Sequence, residues 1–314
     1  MKQMVLSAFL FTGLLTLTSW GFFAHRRINR MAVFTLPTGI NRFYKANIDY
    51  LSTHAVDPDK RRYADTAEAP RHYLDVERYE THIDSIPRKW EMALEKYGIQ
   101  KLNSDGILPW QIQRSYYKLV NAFKNRDSGM ILIYSAYLGH YIADAHVPLH
   151  TTQNHNGQLT NQVGIHAFWE SRVPELFASE YQFFVGKARY IEHPLEESWK
   201  IISHTHSLVD SVLDGERKLN TQFPAYRKYS FSKRNNMVVR QYSREYAAAY
   251  QSQLNHMMAR QMRASILAIG SFWYSAWIDA GQPELENMIK RIPEPEDLLL
   301  EKKYQKGNII GREY

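Results

Sequence analysis

Tyr137-Leu-Gly-His140-Tyr-Ile-Ala-Asp144-Ala-His-Val-Pro148-Leu-His150 is the stretch from which the rest of the chain can be read. His140 and Asp144 are four apart, so on a helix both project from one face, a turn from each other. Ile131, Leu132, Ile133, Leu138 and Ile142 give that helix an apolar setting. Pro148 removes a backbone donor and disfavours a helical residue before it, so the helix ends or bends there and His150 swings out of register. After a loop rich in Asn, Gln and Thr the same spacing returns in Gly164-Ile-His166-Ala-Phe-Trp-Glu170. One His-x-x-x-acid pair is ordinarily a satisfied core or surface contact. Two of them, with His150 across a proline break between, point to metal binding by more than one ion.

The rest of the composition narrows the chemistry. The 314 residues, 44% hydrophobic and 13% aromatic, suffice for one large domain or two small ones with a substantial core, and exclude disorder as the default. Cysteine is absent. That excludes thiolate zinc sites, cysteine nucleophiles and disulfide scaffolding, and leaves His, Asp and Glu as the ligand vocabulary. Residues Met1 to Ser19 read as a secretory signal: Lys2, an apolar run from Val5 to Leu17, then hydroxyl residues before Trp20. The run is short for a membrane span, although Leu17 at the third position before the cut keeps an uncleaved anchor as the alternative. An exported protein, periplasmic or extracellular, is expected, with no transmembrane segment in the mature chain. The formal charge is +7, and loss of Lys2 leaves 38 basic against 32 acidic residues. This mild excess favours anionic partners such as lipid head groups or nucleic acid without deciding between them.

Cleavage before Trp20 would give a chain beginning Trp20-Gly-Phe-Phe-Ala-His25. Its α-amino group and first carbonyl can chelate a metal through a five-membered ring, with His25 near; an aromatic end packed on the core is the equal alternative. Ile28, Met31, Ala32 and Phe34 fit a short helix stopping near Leu36-Pro37, and a second helix is expected from Asn41 to Leu51. Asp57-Pro-Asp59 is loop chemistry, and Lys60-Arg61-Arg62 is ordinarily a solvated face. Arg71-His72-Tyr73-Leu74-Asp75 follows. After a charged connection, Pro109 opens a helix whose Ile112, Tyr116, Leu119, Val120 and Phe123 face the core. Beyond Glu170, helices are expected from Pro194 to Leu219 and from Arg244 to Ala280. Phe272-Trp273-Tyr274 with Trp277 could cage choline or a base, but core packing is the better reading. His204, His206 and His256 lack partners at ligand spacing. No strand pattern, glycine-rich phosphate loop or nucleophile elbow is found. The fold class is therefore all-α, one domain over residues 20–280 with a peripheral extension over 281–314.

These residues together resemble the zinc-dependent phospholipase C family and its relatives, the zinc-dependent single-strand-specific nucleases of fungi and plants. The motifs that carry the resemblance run from Trp20 to Glu170, and helix order extends it to about Ala280. It implies three zinc ions in a cleft, held by Trp20 (amino group and carbonyl), His25, Asp57, His72, His140, Asp144, His150, His166 and Glu170, with Asp144 joining two ions. Asp57 is chosen over Asp59 and Asp65 because the family's acid lies about fifteen residues before the corresponding His and is followed by basic residues, here Lys60 and Arg61. Asp144 and Asp57 would serve the reaction, Lys60 or Arg61 would add positive charge to the transition state, and Tyr73 and Asp75 would line the substrate pocket.

Some features lean to one branch and some to the other. The Trp20 to His25 gap and His72-Tyr73-Leu74-Asp75 look nuclease-like; Glu170, and a Thr151 to Gly164 loop without Gly-Gly-Asn, look phospholipase-like. Hydrolysis of a phosphodiester by metal-activated water is the expectation, phospholipase C-type on a phospholipid head group being preferred over cleavage of single-stranded DNA or RNA. A helical binding protein with structural metals is the reading from another class. Peripheral membrane contact is expected, and no obligate protein partner.

Overall fold

The computed structural model describes residues 21–234 and 237–285. In chain order its helices are α1 (Gly21–Ala32), α2 (Asn41–Ala46), α3 (Ile48–Thr53), α4 (Asp57–Arg61), α5 (Val76–Tyr79), α6 (Trp90–Asp105), α7 (Leu108–Lys124) and α8 (Ser128–Asp144). Then come α9 (Ile165–Ala167), α10 (Val173–Phe177), α11 (Pro194–His206), α12 (Val209–Gln222), a hairpin of β1 (Tyr229–Arg234) and β2 (Met237–Tyr242), α13 (Arg244–Gln253) and α14 (Met257–Asp279). The fold is all-helical but for that hairpin. No described helix is long and apolar enough to cross a membrane.

α8 is the axis. Asp127 caps it, its side chain accepting from the Met130 amide at 3.0 Å, and its apolar residues Ile131, Leu132, Leu138 and Ile142 are wholly buried. α1, α3, α7 and α14 surround it. Trp273 of α14 donates from Nε1 to the Ser135 carbonyl at 2.9 Å, and Tyr44 meets the Ser135 hydroxyl at 2.6 Å, so these large rings bury without orphaned polar atoms. Each such burial contributes about 1.5–3 kcal/mol. Phe272 and Trp273 are therefore core, not a cage. α1 crosses α8 at Gly139, where an added Cβ would lie 2.2 Å from Asn29 Oδ1. Asn29 Nδ2 donates across the crossing to the Ala136 carbonyl at 3.1 Å. Glycine there lets α1 approach closely enough for His25, one turn before Asn29, to stack on His140 with ring centroids 4.1 Å apart.

Several expectations need correction. The charged connection after Tyr79 contains α6, which buries only Ala93, Leu102 and Asp105 and breaks at Gly98 (φ 73°), so it shows no apolar stripe. The helix expected over residues 41–51 is interrupted at Asn47, that over 194–219 at 207–208, and that over 244–280 at Asn255 and His256, both at positive φ. The hairpin was not expected, because β1 and β2 mix apolar and basic residues on one side. The expected signal segment, Trp20, residues 235–236 and residues 286–314 lie outside the described residues. The start of the expected extension is held to the domain, with Trp277 Nε1 donating to the Pro283 carbonyl at 3.0 Å and Arg126 to that of Glu284 at 3.1 Å.

Candidate metal centre

Five separate segments bring imidazoles and acids to one buried place. α8 supplies His140 and Asp144, and the turn begun by Pro148 supplies His150. A π-type turn over Phe168–Arg172 continues α9, so that His166 and Glu170 share a face. α1 brings His25, and a 3₁₀ turn over Ala69–His72 brings His72. All five histidines are at most 3% exposed.

The contacts divide into three groups joined by two carboxylates. In the first, Asp144 Oδ2 lies 3.0 Å from His72 Nδ1 and 3.2 Å from His140 Nε2, and Asp59 Oδ1 lies 3.7 Å from both nitrogens. In the second, His25 Nε2 lies 3.3 Å from Asp144 Oδ1 and 3.3 Å from Glu170 Oε1. In the third, Glu170 Oε2 lies 2.7 Å from His166 Nε2 and 3.4 Å from His150 Nε2. Asp144 and Glu170 thus each turn one oxygen to the middle group and the other outward. At Gly21 an added Cβ would lie 2.7 Å from Glu170 Oε1, so the start of α1 abuts the middle group.

The donor set itself tests whether cations belong here. His150 Nδ1 faces the His72 carbonyl at 2.6 Å and His166 Nδ1 faces the His155 carbonyl at 3.1 Å, which assigns the proton of each neutral ring to Nδ1. Their Nε2 atoms are then lone pairs, yet they face each other at 3.2 Å and form a triangle with Glu170 Oε2, 2.7 Å from one and 3.4 Å from the other. Burial, partly opposed by Glu170, holds His166 below its ordinary pKa and so favours its neutral ring. Burial would raise the Glu170 carboxyl, but the histidines around it hold it well below its ordinary value. His140 repeats the arrangement, with Nδ1 on the Ala55 carbonyl at 2.8 Å and Nε2 turned to His72 and Asp144. Buried imidazole nitrogens and carboxylate oxygens converging on one place are what a divalent cation with N and O ligands requires, and these residues fit zinc.

Asp57 needs correction as the acid of the first group. It pairs instead with His54 Nδ1 at 2.5 Å and with Lys60 at 3.4 Å, whereas Asp59 faces His72 and His140. The two acids are two residues apart on α4, about 200° around the helix, so only one of them can face the cleft. Lys60 is buried beside Asp57, and Arg61 binds Glu68 and the Tyr141 hydroxyl. Tyr73 and Asp75 line a cleft of about 350 Å³ with Arg78, Ser104, Gln153 and His155. His155, whose carbonyl accepts from His166 Nδ1, links that cleft to the third group.

Sequence reasoning passed over Glu68. It is wholly buried and receives Arg71 at 2.5 Å, Arg61 at 3.1 Å and the Tyr141 hydroxyl at 2.5 Å, while His72 Nε2 faces it at 3.4 Å. Burial alone would raise its carboxyl; His72 and Arg61 outweigh that and hold it ionised. It stands behind His72, whose Nδ1 faces Asp144, in the place a carboxylate takes behind a metal-binding histidine. Its position four before His72 was the available signal.

A family model described as zinc dependent phospholipase C matches residues 24–233. Among solved structures the chain is similar to an alpha toxin from Clostridium absonum, at 10% identity and a TM-score of 0.48. The alignment covers 82% of this chain and 63% of the toxin's. No curated protein matches.

Proposed function

The chain belongs to the zinc-dependent phospholipase C family, and from that premise we propose an exported phosphodiesterase that holds three zinc ions and cleaves a phospholipid at its head-group phosphodiester. The observation that carries this reading is the convergence of five buried imidazoles on two shared carboxylates. Zinc, when bound, supplies a Lewis acid for phosphoryl oxygens and a means of ionising water near neutral pH. Asp144 sets the spacing of the first and middle groups through its two oxygens, and Glu170 does the same for the middle and third groups. The Ala55, His72 and His155 carbonyls, with Glu68, fix the rings of His140, His150, His166 and His72, so little reorganisation is left for the reaction. Asp59 takes the ligand role first expected of Asp57. Trp20, next to Gly21, completes the middle group through its amino group and carbonyl after processing.

Tyr73 and Asp75 receive the head group: the acid can pair with an ammonium, and the ring can offer it a π face. The same cleft supports a second reading, in which Tyr73 and Asp75 hold a base and the substrate is single-stranded DNA or RNA. One preparation answers both: elemental analysis and N-terminal sequencing of the mature protein, then turnover on lecithin vesicles, single-stranded DNA and RNA. Release of phosphorylated head group from lecithin is expected. Near three zinc ions with no hydrolysis, even of an activated aryl phosphodiester, would leave a metal-stabilised binding protein.

A further inference from the structure

The hairpin carries exposed apolar side chains beyond its root. Tyr229, Phe231 and Lys233 share a side with their cross-strand partners Tyr242, Arg240 and Val238. On that side Phe231 is 71% and Val238 72% exposed, and Lys233 and Arg240 are exposed as well. On the other side Ser230, Ser232, Val239 and Gln241 are half-buried. A one-sided sheet ordinarily turns apolar residues inward and polar residues to water. Here the side that packs on Phe168 at its root through Tyr242 carries, further out, a phenylalanine and a valine exposed between two cations.

Charge points the same way. From Ala225 to Arg244 the chain has six basic residues and no acidic one. Lys228 is tied to Glu216 at 3.0 Å and Arg244 to Glu180 at 2.9 Å, so these two brace the structure. Lys233 and Arg240 instead accompany the exposed apolar pair, with the Arg240 guanidinium 3.7 Å from the Tyr229 ring centre. The root of the hairpin is fastened to the metal centre. Tyr242 stacks on Phe168 at 4.0 Å, Phe168 stands between His166 and Glu170 in the chain, and Arg172 donates to the Tyr242 carbonyl at 3.1 Å.

We propose that the outer face of β1–β2 docks on an anionic lipid bilayer, Phe231 and Val238 entering the interface while Lys233 and Arg240 meet the acidic head groups. A single nucleic-acid strand would use stacking rings and cations but has no complement for the branched side chain of Val238. A second copy seated on the same face would bring Lys233 and Arg240 against themselves without an acid to answer them. The inference goes beyond the phosphodiesterase reading and does not need it, because partition is measured without turnover.

The test is co-sedimentation of the zinc-loaded protein with sucrose-loaded vesicles of phosphatidylcholine alone or with phosphatidylserine. Wild-type protein should partition onto the anionic vesicles. Lys233→Gln with Arg240→Gln should weaken that partition on the order of twenty-fold and abolish the preference for phosphatidylserine. Phe231→Ser with Val238→Ser should weaken it at least about tenfold. Both variants should keep the wild-type circular dichroism and zinc content, and any hydrolysis of a soluble aryl phosphodiester should be unchanged. No anionic partition by the wild type, or equal partition by both variants, overturns the proposal. So does retention of a single-stranded oligonucleotide that the Lys233/Arg240 variant loses while no vesicle is bound, or a dimer in light scattering that the Phe231/Val238 variant abolishes.

Discussion

Two stretches deliver candidate metal ligands to the same buried place, and they do so by different local physics. From α8 through Glu170, the donors are set by helical repeat: His140 with Asp144 and His166 with Glu170 each span one turn. From His54 to His72 they are set by a five-residue helix, a loop and a 3₁₀ turn, in which facing depends on single dihedral angles. The first stretch contributes the acids that join groups; the second contributes Asp59, His72 and the buried Glu68 behind them. A helix fixes which residues share a face before any tertiary contact forms. A string of short turns fixes it only through the contacts it makes.

The comparison would break most visibly at Asp144. Asp144→Asn removes charge from two groups at once, so turnover of a phosphodiester should fall by more than about 10³, beyond the ~10²–10³ that loss of one preorganised electrostatic group costs. Bound zinc should fall with it. A folded, correctly processed Asp144→Asn protein with full zinc and full turnover would remove the shared acid from the scheme.

Next in size is the contrast between neighbouring acids in the second stretch. Asp59→Asn should weaken zinc binding at the His72 group by at least about 100-fold, since even loss of an outer partner costs about 10–100-fold. Asp57→Asn should leave zinc content unchanged and lower the melting temperature, because it forfeits the bond to His54 and the pairing with Lys60; a cost of about 1–3 kcal/mol is expected. The reverse outcome would restore the acid chosen by its distance from His72.

That contrast also marks what could be read in the chain. The i, i+4 pairs, the proline break and the apolar run around them made α8, His150 and the His166–Glu170 pair legible, and with them the all-helical class. Spacing to His72 favours Asp57 over Asp59, and the 200° separation that turns Asp59 to the cleft matters only once α4 exists. Glu68 draws its importance from tertiary contacts, since Arg61, Arg71 and Tyr141 close over it. The hairpin escaped because amphipathic alternation presumes that the outside is water.

Glu68→Gln sharpens the comparison by keeping shape and removing charge. His72 would lose the carboxylate that fixes its tautomer, and Arg61 and Arg71 would lose their anion. Zinc affinity at the His72 group should drop about 10–100-fold in chelator competition, while the His150–His166–Glu170 group keeps its affinity. A uniform loss at every group would mean general loosening, not orientation of one ring.

The smallest expected effect is in protons. In the metal-free protein, burial pulls His25 down, but Glu170 and Asp144 more than offset it and raise it to about 9. His72 is also raised, burial being outweighed by Asp144 and Glu68, whereas burial leaves His140 and His166 lowered. Zinc needs the unprotonated rings, so near neutrality it must expel protons from His25 and His72 and none from His140 or His166. Affinity of the middle group should therefore climb with pH, by up to about tenfold per unit, and level off above about 9. Titration calorimetry in two buffers of different ionisation enthalpy counts the protons released. The count should be higher at pH 7 than at pH 9.5, and it should shrink in Asp144→Asn, which lacks the charge that holds both protons. An identical count at the two pH values would mean that the carboxylates do not hold these histidines protonated, and that the middle group is no more proton-coupled than the third.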